Sequence, residues 1–212
     1  MRKLPVYLIV DTSTSMRGEP IAAVEEGIRV LHNSLRRNPY ALEVAYLSVI
    51  TFATEVVQLA PLTEVALFTP PKLVAKGRTN LGAALELVTN RARVEVQRSQ
   101  PGVKGDWKPL VFIMSDGRPS DSVPQAMKVF EQYQWGIVVA CAAGPKGDVD
   151  KLGRITKNVV LLESTTTQSI SEYFKWVSSS VATTSRRIEQ TDADAALDAL
   201  PPPPSTLSLV KF

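Results

Sequence analysis

The chain has 212 residues, of which 44% are hydrophobic and 21% charged, and its formal net charge is +3 at pH 7. This composition is typical of a globular protein with one sizeable core, and it excludes a disordered or fibrous chain. The charge is too small to indicate nucleic-acid binding by itself, and no apolar segment approaches the length of a transmembrane helix. We therefore expect a cytoplasmic protein that binds neither nucleic acid nor membrane.

Strand-like and helix-like segments alternate in the first half of the chain. The apolar run at 6–10 predicts a buried strand, and apolar residues recurring every three or four positions then predict a helix that ends near Pro39. Residues 44–52 and 55–60 predict two more strands, separated by only two residues. Such a short connection predicts an antiparallel hairpin at one edge of a sheet.

The second half continues the alternation. Helices are predicted near 81–92, 123–130, 148–155 and 170–181, and buried strands at 110–114, 137–142 and 159–162. This pattern predicts an α/β fold of the Rossmann-like kind. The central sheet is expected to be mostly parallel, with one antiparallel edge strand and with helices on both faces.

The composition changes near the end of the chain. An Ala-rich acidic segment is followed by four consecutive prolines at 201–204. Pro-rich segments are extended and do not fill a core. We therefore expect one globular domain over residues 1–186 and a flexible, acidic and Pro-rich C-terminal tail over residues 187–212.

Five hydroxyl and carboxyl side chains fall where the predicted elements begin or end. Asp11, Ser13 and Ser15 follow the first strand, Asp116 follows a later strand, and Thr79 directly precedes a helix. In a parallel α/β sheet these places meet at the carboxyl edge. Hydroxyl and carboxylate oxygens without His or Cys suit a hard divalent cation such as Mg²⁺, and Mn²⁺ accepts the same octahedral oxygen set.

The small number of charges in this set indicates what else such an ion would bind. Ser13, Ser15 and Thr79 would offer hydroxyls, while Asp11 and Asp116 would act directly or through bound water. Two carboxylates leave part of the ion's demand for anionic ligands unmet. We therefore expect the remaining ligand to be an Asp or Glu of a partner protein, in metal-bridged binding rather than catalysis.

The order Asp-x-Ser-x-Ser, a distant Thr and a distant Asp resembles the metal-ion-dependent adhesion site (MIDAS) of von Willebrand factor type A (vWA) domains. The resemblance covers roughly residues 4–182. It implies a Rossmann-like sheet with one antiparallel edge strand. It also implies Mg²⁺ bound at Ser13, Ser15 and Thr79, with Asp11 and Asp116 in support.

Three further segments, at 4–8, 15–21 and 47–52, are similar to the TerY proteins of bacterial tellurite-resistance operons. This resemblance implies a stress-response role beside a protein kinase and a phosphatase. Either enzyme is therefore a candidate partner. Thr14 and Arg78 depart from the pattern, because the family commonly has Gly at both positions. A β-branched residue disfavours positive φ, so the loop is expected to be either extended or strained at Thr14.

Simpler interpretations exist for the single residues of the site. Thr79 with Asn80 is a common helix N-cap, and Asp11 and Asp116 are common turn residues. Each simple interpretation is the more economical one for its own residue. The occurrence of all five residue types at the expected loops favours the metal site.

Arginines and one tryptophan are candidate partner contacts. Each of the three site loops carries one arginine: Arg17, Arg78 and Arg118. They are either ordinary solvated arginines or a cationic rim that receives an acidic partner surface. Trp107 lies in a Gly/Pro loop and is either an exposed anchor for a partner or a residue packed beneath its own loop.

We expect a non-enzymatic adaptor and keep two alternatives from other classes. A Mg²⁺-dependent phosphatase or other hydrolase would use Asp11 as its phosphoryl-accepting carboxylate, but Ser13 stands where such enzymes often place a second Asp. A subunit of a larger ATP-driven complex is the other alternative. The sequence contains neither the P-loop motif nor the Gly-x-Gly-x-x-Gly motif that cradles phosphates.

Overall fold

A seven-stranded sheet forms the centre of the protein. The computed structural model describes residues 2–116, 119–145, 147–191 and 200–211. Within them the strand order is β3-β2-β1-β4-β5-β6-β7. The strands are β1 (Leu4–Asp11), β2 (Ala45–Phe52), β3 (Val56–Glu64), β4 (Leu110–Ser115), β5 (Val138–Ala143), β6 (Asn158–Leu162) and β7 (Ser208–Lys211).

Helices cover both faces of this sheet. Helices α1 and α6 pack against each other over one core, and α3 and α4 pack against each other over the second core. The described helices are α1 (Glu19–Arg36), α2 (Pro39–Val44), α3 (Leu81–Glu95), α4 (Val123–Glu131), α5 (Val149–Gly153) and α6 (Thr167–Thr191). Pro39 does not simply end α1, because it also opens the short helix α2, where its missing N–H costs nothing.

Strand β1 is buried along its whole length and divides the interior into two cores. Its side chains alternate, so that Val6 and Leu8 enter the core beneath α1 and α6. Tyr7 and Ile9 enter the core beneath α3 and α4. A strand covered on both faces reads as a continuous apolar run, which is why the sequence pattern located it well.

The predicted α/β fold is confirmed. Strands β1, β2, β4, β5 and β6 are mutually parallel, and β3 pairs antiparallel with β2 as the expected edge strand. The structure also contains an antiparallel pair that was not predicted. Strand β7 pairs with β6 and adds a second antiparallel edge to the sheet.

The expectation of a flexible tail is wrong for residues 200–211. Leu207 is 4% exposed and belongs to the core, and the indole Nε1 of Trp176 donates to the Pro201 carbonyl at 3.0 Å. Four prolines cannot fill a core, but here they carry the chain to the open edge of β6, which β7 then pairs. Helix α6 also extends to Thr191, past the boundary predicted at residue 186. The acidic residues at 192–199 lie outside the described part of the chain.

The strand order changes direction at β1. From β1 the chain first adds β2 and β3 on one side, and then adds β4 to β6 on the other side. In open parallel sheets, this switch point leaves a crevice at the carboxyl ends of the two central strands. Those ends are Asp11 of β1 and Ser115 of β4, which is followed directly by Asp116.

Candidate metal centre

Four of the five predicted metal-site residues are joined by hydrogen bonds at the switch point. The Ser15 hydroxyl donates to Asp116 Oδ1 at 2.8 Å, and the Ser13 and Ser15 hydroxyl oxygens lie 2.9 Å apart. The backbone N–H of Ser13 donates to Asp11 Oδ1 at 2.8 Å. Asp11 at the end of β1, Ser13 and Ser15 in the turn after it, and Asp116 directly after β4 therefore form one polar cluster, as the sequence predicted.

The two hydroxyls are brought together by a short helical turn. Residues Thr14–Met16 form a 3-10 turn directly after Ser13, whose backbone is extended. Met16 is completely buried and fixes the turn to the core, while Ser15 remains exposed. The turn thus places the Ser15 hydroxyl at the surface beside the buried Ser13 hydroxyl.

Asp11 is sequestered beneath this cluster. It has no exposed surface, and each of its carboxylate oxygens accepts a hydrogen bond, because Ser115 Oγ donates to Oδ2 at 2.6 Å. Burial raises the pKa of Asp11, hydrogen bonds from Ser115 and Ser13 lower it, and the nearby Asp116 charge raises it. A cation beside Asp11 and Asp116 would stabilise both ionised carboxylates.

Thr79 lies in a separate loop that contacts the loop after Asp116. It is 8% exposed, and its carbonyl accepts hydrogen bonds from the Ser120 backbone N–H at 2.8 Å and from the Ser120 hydroxyl at 3.0 Å. Ser120 lies four residues beyond Asp116, so these contacts join the Thr79 loop to the Asp116 loop. All three predicted site loops therefore meet at the same edge of the sheet.

The helix-cap interpretation of Thr79 and Asn80 does not account for the geometry at the start of α3. Asn80 occupies the N-cap position, but its side chain makes no capping hydrogen bond. The free N–H of Ala83 is instead satisfied from a distant loop, by Asp121 Oδ2 at 2.9 Å. Neither Thr79 nor Asn80 is therefore needed as the side-chain cap of α3.

The residues present fit a divalent cation bound through oxygen. The Ser13 and Ser15 hydroxyls and the Asp116 carboxylate lie together, because the Ser15 hydroxyl contacts both of the other groups. Hydroxyl and carboxylate oxygens are the ligands that a hard divalent cation prefers. Among the described residues, no cluster of three or more His, Cys, Asp or Glu side chains offers an alternative metal site.

The loops of the site are fastened to one another through the backbone at residues 76 and 77. The Lys76 N–H donates to the Thr12 carbonyl at 2.8 Å, and the Thr14 N–H and hydroxyl both reach the Gly77 carbonyl at 3.0 Å. Thr14 thus uses its hydroxyl to bind the neighbouring loop, which a glycine there would not do. Gly77 itself has a φ of 82°, and a Cβ at this position would overlap the Thr54 side chain, so glycine is required here.

The predicted partner-binding residues have different outcomes. Arg17 and Arg78 are exposed beside the site, and the Arg17 Nε donates to the Ala75 carbonyl at 3.3 Å. Arg118 lies outside the described residues, so the predicted cationic rim stays a prediction. Trp107 is only 4% exposed, with the Arg2 guanidinium 3.4 Å from its ring centre, so its interpretation as an exposed anchor is wrong.

Sequence reasoning missed three residues that position the site: Ser115, Ser120 and Asp121. Ser115 binds Asp11, Ser120 binds the Thr79 carbonyl, and Asp121 caps α3. Ser115 directly precedes Asp116 at the end of a predicted strand, which was a usable signal. Ser120 and Asp121 lie in an irregular loop, where no periodicity indicates which element they contact.

A doubly wound sheet with hydroxyls and carboxylates gathered at its switch point defines a domain of the MIDAS-bearing class. The chain belongs to the von Willebrand factor type A domain family, whose model matches residues 6–175. No curated protein sequence matches the chain significantly.

Solved structures share the fold at low sequence identity. A von Willebrand factor type A protein from Catenulispora acidiphila has a TM-score of 0.66 and 14% identity over 86% of this chain and 43% of its own. The pilus adhesin SpaC from Lactobacillus rhamnosus GG has a TM-score of 0.67 and 11% identity over 86% and 31%. Proximal thread matrix protein 1 from the mussel byssus, with a zinc-occupied MIDAS motif, has a TM-score of 0.61 and 18% identity over 84% and 48%.

This chain therefore spans less than half the length of each of these structures, at 43%, 31% and 48%. At such identities the likeness shows the fold alone. In the part of the chain that the structure describes, no helix is long and apolar enough to cross a membrane.

Proposed function

We propose that the protein is an adaptor that binds a protein partner through a divalent metal ion at its MIDAS. The observation that carries the proposal is the hydrogen-bonded cluster of Asp11, Ser13, Ser15 and Asp116 at the switch point of the sheet. Thr79 would supply a third hydroxyl from the adjoining loop. These residues would hold the ion, which would supply a positive charge for a carboxylate of the partner.

Mg²⁺ is the ion that the type of the ligands favours, with Mn²⁺ as its close substitute. The five predicted ligands are hydroxyl and carboxylate oxygens without His or Cys, and hard cations prefer such ligands. Both Mg²⁺ and Mn²⁺ accept octahedral oxygen.

The accessibility of Asp11 supports binding rather than phosphoryl transfer. A phosphoryl-accepting carboxylate needs one oxygen open to its substrate. Asp11 is fully buried, and both of its oxygens accept hydrogen bonds from groups of the site. Cys141 is also fully buried, and burial raises its thiol pKa well above the usual range, which makes it an unsuitable nucleophile.

The partner would present an Asp or Glu to the ion. Through its resemblance to TerY proteins, we propose that this partner is a protein kinase or phosphatase of a tellurite-resistance or stress-response system in the bacterial cytoplasm. Exposed Arg17 and Arg78 would add favourable charge around an acidic contact. Reversing the charge of Arg78 and Arg118 should weaken partner binding without removing Mg²⁺, and unchanged affinity would contradict the cationic rim.

A capture experiment tests the proposal. Tagged protein is incubated with lysate of the native host in Mg²⁺ or in EDTA, beside the Asp116→Ala, Asp11→Ala and Thr79→Ala variants. Asp150→Ala, which alters an exposed aspartate of α5, serves as the matched control. We expect a partner that is retained only in Mg²⁺, by the wild type and the control but by none of the site variants.

The outcome also separates the alternatives. Retention of the same partners in every lane would contradict metal-bridged binding. Mg²⁺-dependent phosphate release that is lost in Asp11→Asn would support the hydrolase, and Mg²⁺-independent recovery of an ATPase would support the subunit of an ATP-driven complex.

A further inference from the structure

A groove with a volume of about 400 Å³ begins beside the candidate metal centre and follows the edge strand β3. We call it the edge groove, and it is lined by Val57 and Leu59 of β3 and by Lys72, Val74 and Lys76 of the loop after it. Two further lining residues belong to the loops of the metal centre: Thr12, between Asp11 and Ser13, and Gly77, two residues before Thr79. The edge groove therefore adjoins the loops that carry the metal centre.

Large apolar side chains are exposed in the edge groove. Val57 is 43% exposed, Leu59 41% and Val74 70%. They are three of the seven large apolar side chains that are exposed in the described residues. Interaction sites typically combine exposed apolar surface in a concave region with neighbouring polar groups.

The walls of the edge groove are held in place by the same hydrogen bonds that hold the site loops. Residues 76 and 77 bind the Thr12 carbonyl and the Thr14 N–H, as described above. On the other wall, the Thr54 hydroxyl accepts from the Arg78 N–H at 3.0 Å, and the Thr54 carbonyl accepts from Asn80 Nδ2 at 2.9 Å. A ligand of the metal centre would therefore meet a preformed groove.

The charges around the edge groove favour an acidic ligand. Lys72 and Lys76 line the groove. Next to it, the Arg17 Nε donates a hydrogen bond to the Ala75 carbonyl. Glu55 is the one acidic residue among the lining residues, and it lies 3.9 Å from the Lys76 ammonium group. The surrounding charge is thus positive, as is the ion in the proposed metal centre.

The sheet register gives a lower bound on the distance from the metal centre to the apolar part of the groove. Asp11 pairs with Phe52, and Phe52 pairs with Val56. Two strand spacings of about 4.8 Å separate β1 from β3, and Asp116 follows β4 on the far side of β1, so Val57 lies at least about 10 Å from the metal centre. An extended peptide advances about 3.3 Å per residue and needs at least about three residues to cross this distance.

We infer that the edge groove receives an extended acidic segment of the partner, with a bulky apolar residue at least about three positions from the Asp or Glu at the metal. This inference rests on the proposed function, because the metal fixes one end of the segment. The apolar residue would cover Val57, Leu59 and Val74, and flanking acidic residues would meet Lys72 and Lys76. The metal would supply affinity for any exposed carboxylate, and the groove would select among partners.

The test uses a display library of random linear twelve-residue peptides. The full chain with Mg²⁺ is the bait, bound peptides are released with EDTA, and the affinity of enriched peptides is measured by fluorescence anisotropy. The groove variant is Val57→Ser/Leu59→Ser/Val74→Ser. The matched control is Leu67→Ser/Val94→Ser/Val103→Ser, whose side chains are 71%, 83% and 56% exposed outside the groove.

We expect enriched peptides to carry Asp or Glu with a bulky apolar residue at least about three positions away. The groove variant should bind them at least about ten-fold more weakly, because one buried apolar side chain contributes about that factor. The control variant should bind them as the wild type does. Asp116→Ala should bind none of them.

Other results would overturn the inference in distinguishable ways. Mg²⁺-dependent acidic peptides that bind the groove variant with unchanged affinity would refute the groove and leave the proposed function intact. If the library yields no Mg²⁺-dependent peptide, the proposed function and the inference both fail. Self-association of the wild type that is lost in the groove variant, measured by sedimentation, would assign the groove to a second copy of the chain.

Discussion

Removal of one hydroxyl that supports Asp11 should weaken metal binding without touching a predicted ligand. Ser115 Oγ donates to Asp11 Oδ2 at 2.6 Å, and Ser115 is only 1% exposed. Ser115→Ala removes this hydrogen bond, which lowers the pKa of the carboxyl in the native protein. The pKa of Asp11 should then rise further above its usual range, so the ionised form that a cation requires becomes less favourable.

The structure sets the size of the effect. A hydrogen bond to a charged group contributes about 1.5–3 kcal/mol, and loss of a group that supports a metal site typically weakens metal binding about 10–100-fold. We expect Ser115→Ala to weaken Mg²⁺ binding by about that factor, as measured by isothermal titration calorimetry. Its free energy of unfolding without metal should fall by about 1–3 kcal/mol, because an oxygen of a buried carboxylate loses its donor.

Ser48→Ala is the matched control for this experiment. Ser48 is also completely buried in the sheet, and its hydroxyl donates to the Ala60 carbonyl at 2.9 Å and accepts from Gln58 at 3.0 Å. It lies four residues before Phe52, the register partner of Asp11. The control should lose stability but retain Mg²⁺ affinity. Equal Mg²⁺ affinities of wild type and Ser115→Ala would refute the supporting role of Ser115.

Three further predictions concern pH, helix packing and the C-terminal strand. Because Asp11 has a raised pKa in the folded protein, the metal-free protein should lose stability as pH rises through that pKa. The affinity for Mg²⁺ should fall as pH decreases toward the same pKa, because the carboxyl becomes protonated. Calorimetry and thermal melting over a pH series measure the two effects, and a pH-independent Mg²⁺ affinity would contradict the assignment. Gly27→Ala should destabilise by about 1–3 kcal/mol in urea unfolding, since its Cβ would overlap the buried Phe174 ring, and Phe174→Leu should restore part of the loss. Leu207→Ala, directly before β7, should lower the free energy of unfolding by about 2–5 kcal/mol, against about 0.5 kcal/mol or less for exposed Leu67→Ala. Equal small effects would contradict a packed C-terminal segment.

The parts of the fold that follow from local patterns could be predicted from the sequence. Strands buried on both faces, such as β1 and β4, give uninterrupted apolar runs, and α3 gives a clear helical period. Strand β7 has only four residues, and its neighbour β6 lies far from it along the chain. Its pairing satisfies an open sheet edge, which is a property of the assembled sheet and leaves little trace in local composition.

The candidate site shows the same division between local and distant contacts. Asp11, Ser13, Ser15, Thr79 and Asp116 were predicted because each stands at the end or beginning of a recognisable element. Their supporting contacts join residues far apart in sequence, such as Ser115 with Asp11 and Asp121 with the start of α3. The burial of Trp107 likewise depends on contacts beyond its own loop, including the Arg2 guanidinium stacked on its ring.

The central claim is that the hydroxyls and carboxylates at the switch point bind a divalent cation. Calorimetric titration of Mg²⁺ into the wild type and into Ser13→Ala/Ser15→Ala tests it most directly, with melting temperatures measured on the same samples. Ser15 is exposed, and Ser13, although buried, lies outside both hydrophobic cores, so the double variant should fold normally. We predict one Mg²⁺ bound per wild-type chain and no measurable binding by the double variant. Equal Mg²⁺ affinity of the two proteins would contradict the account.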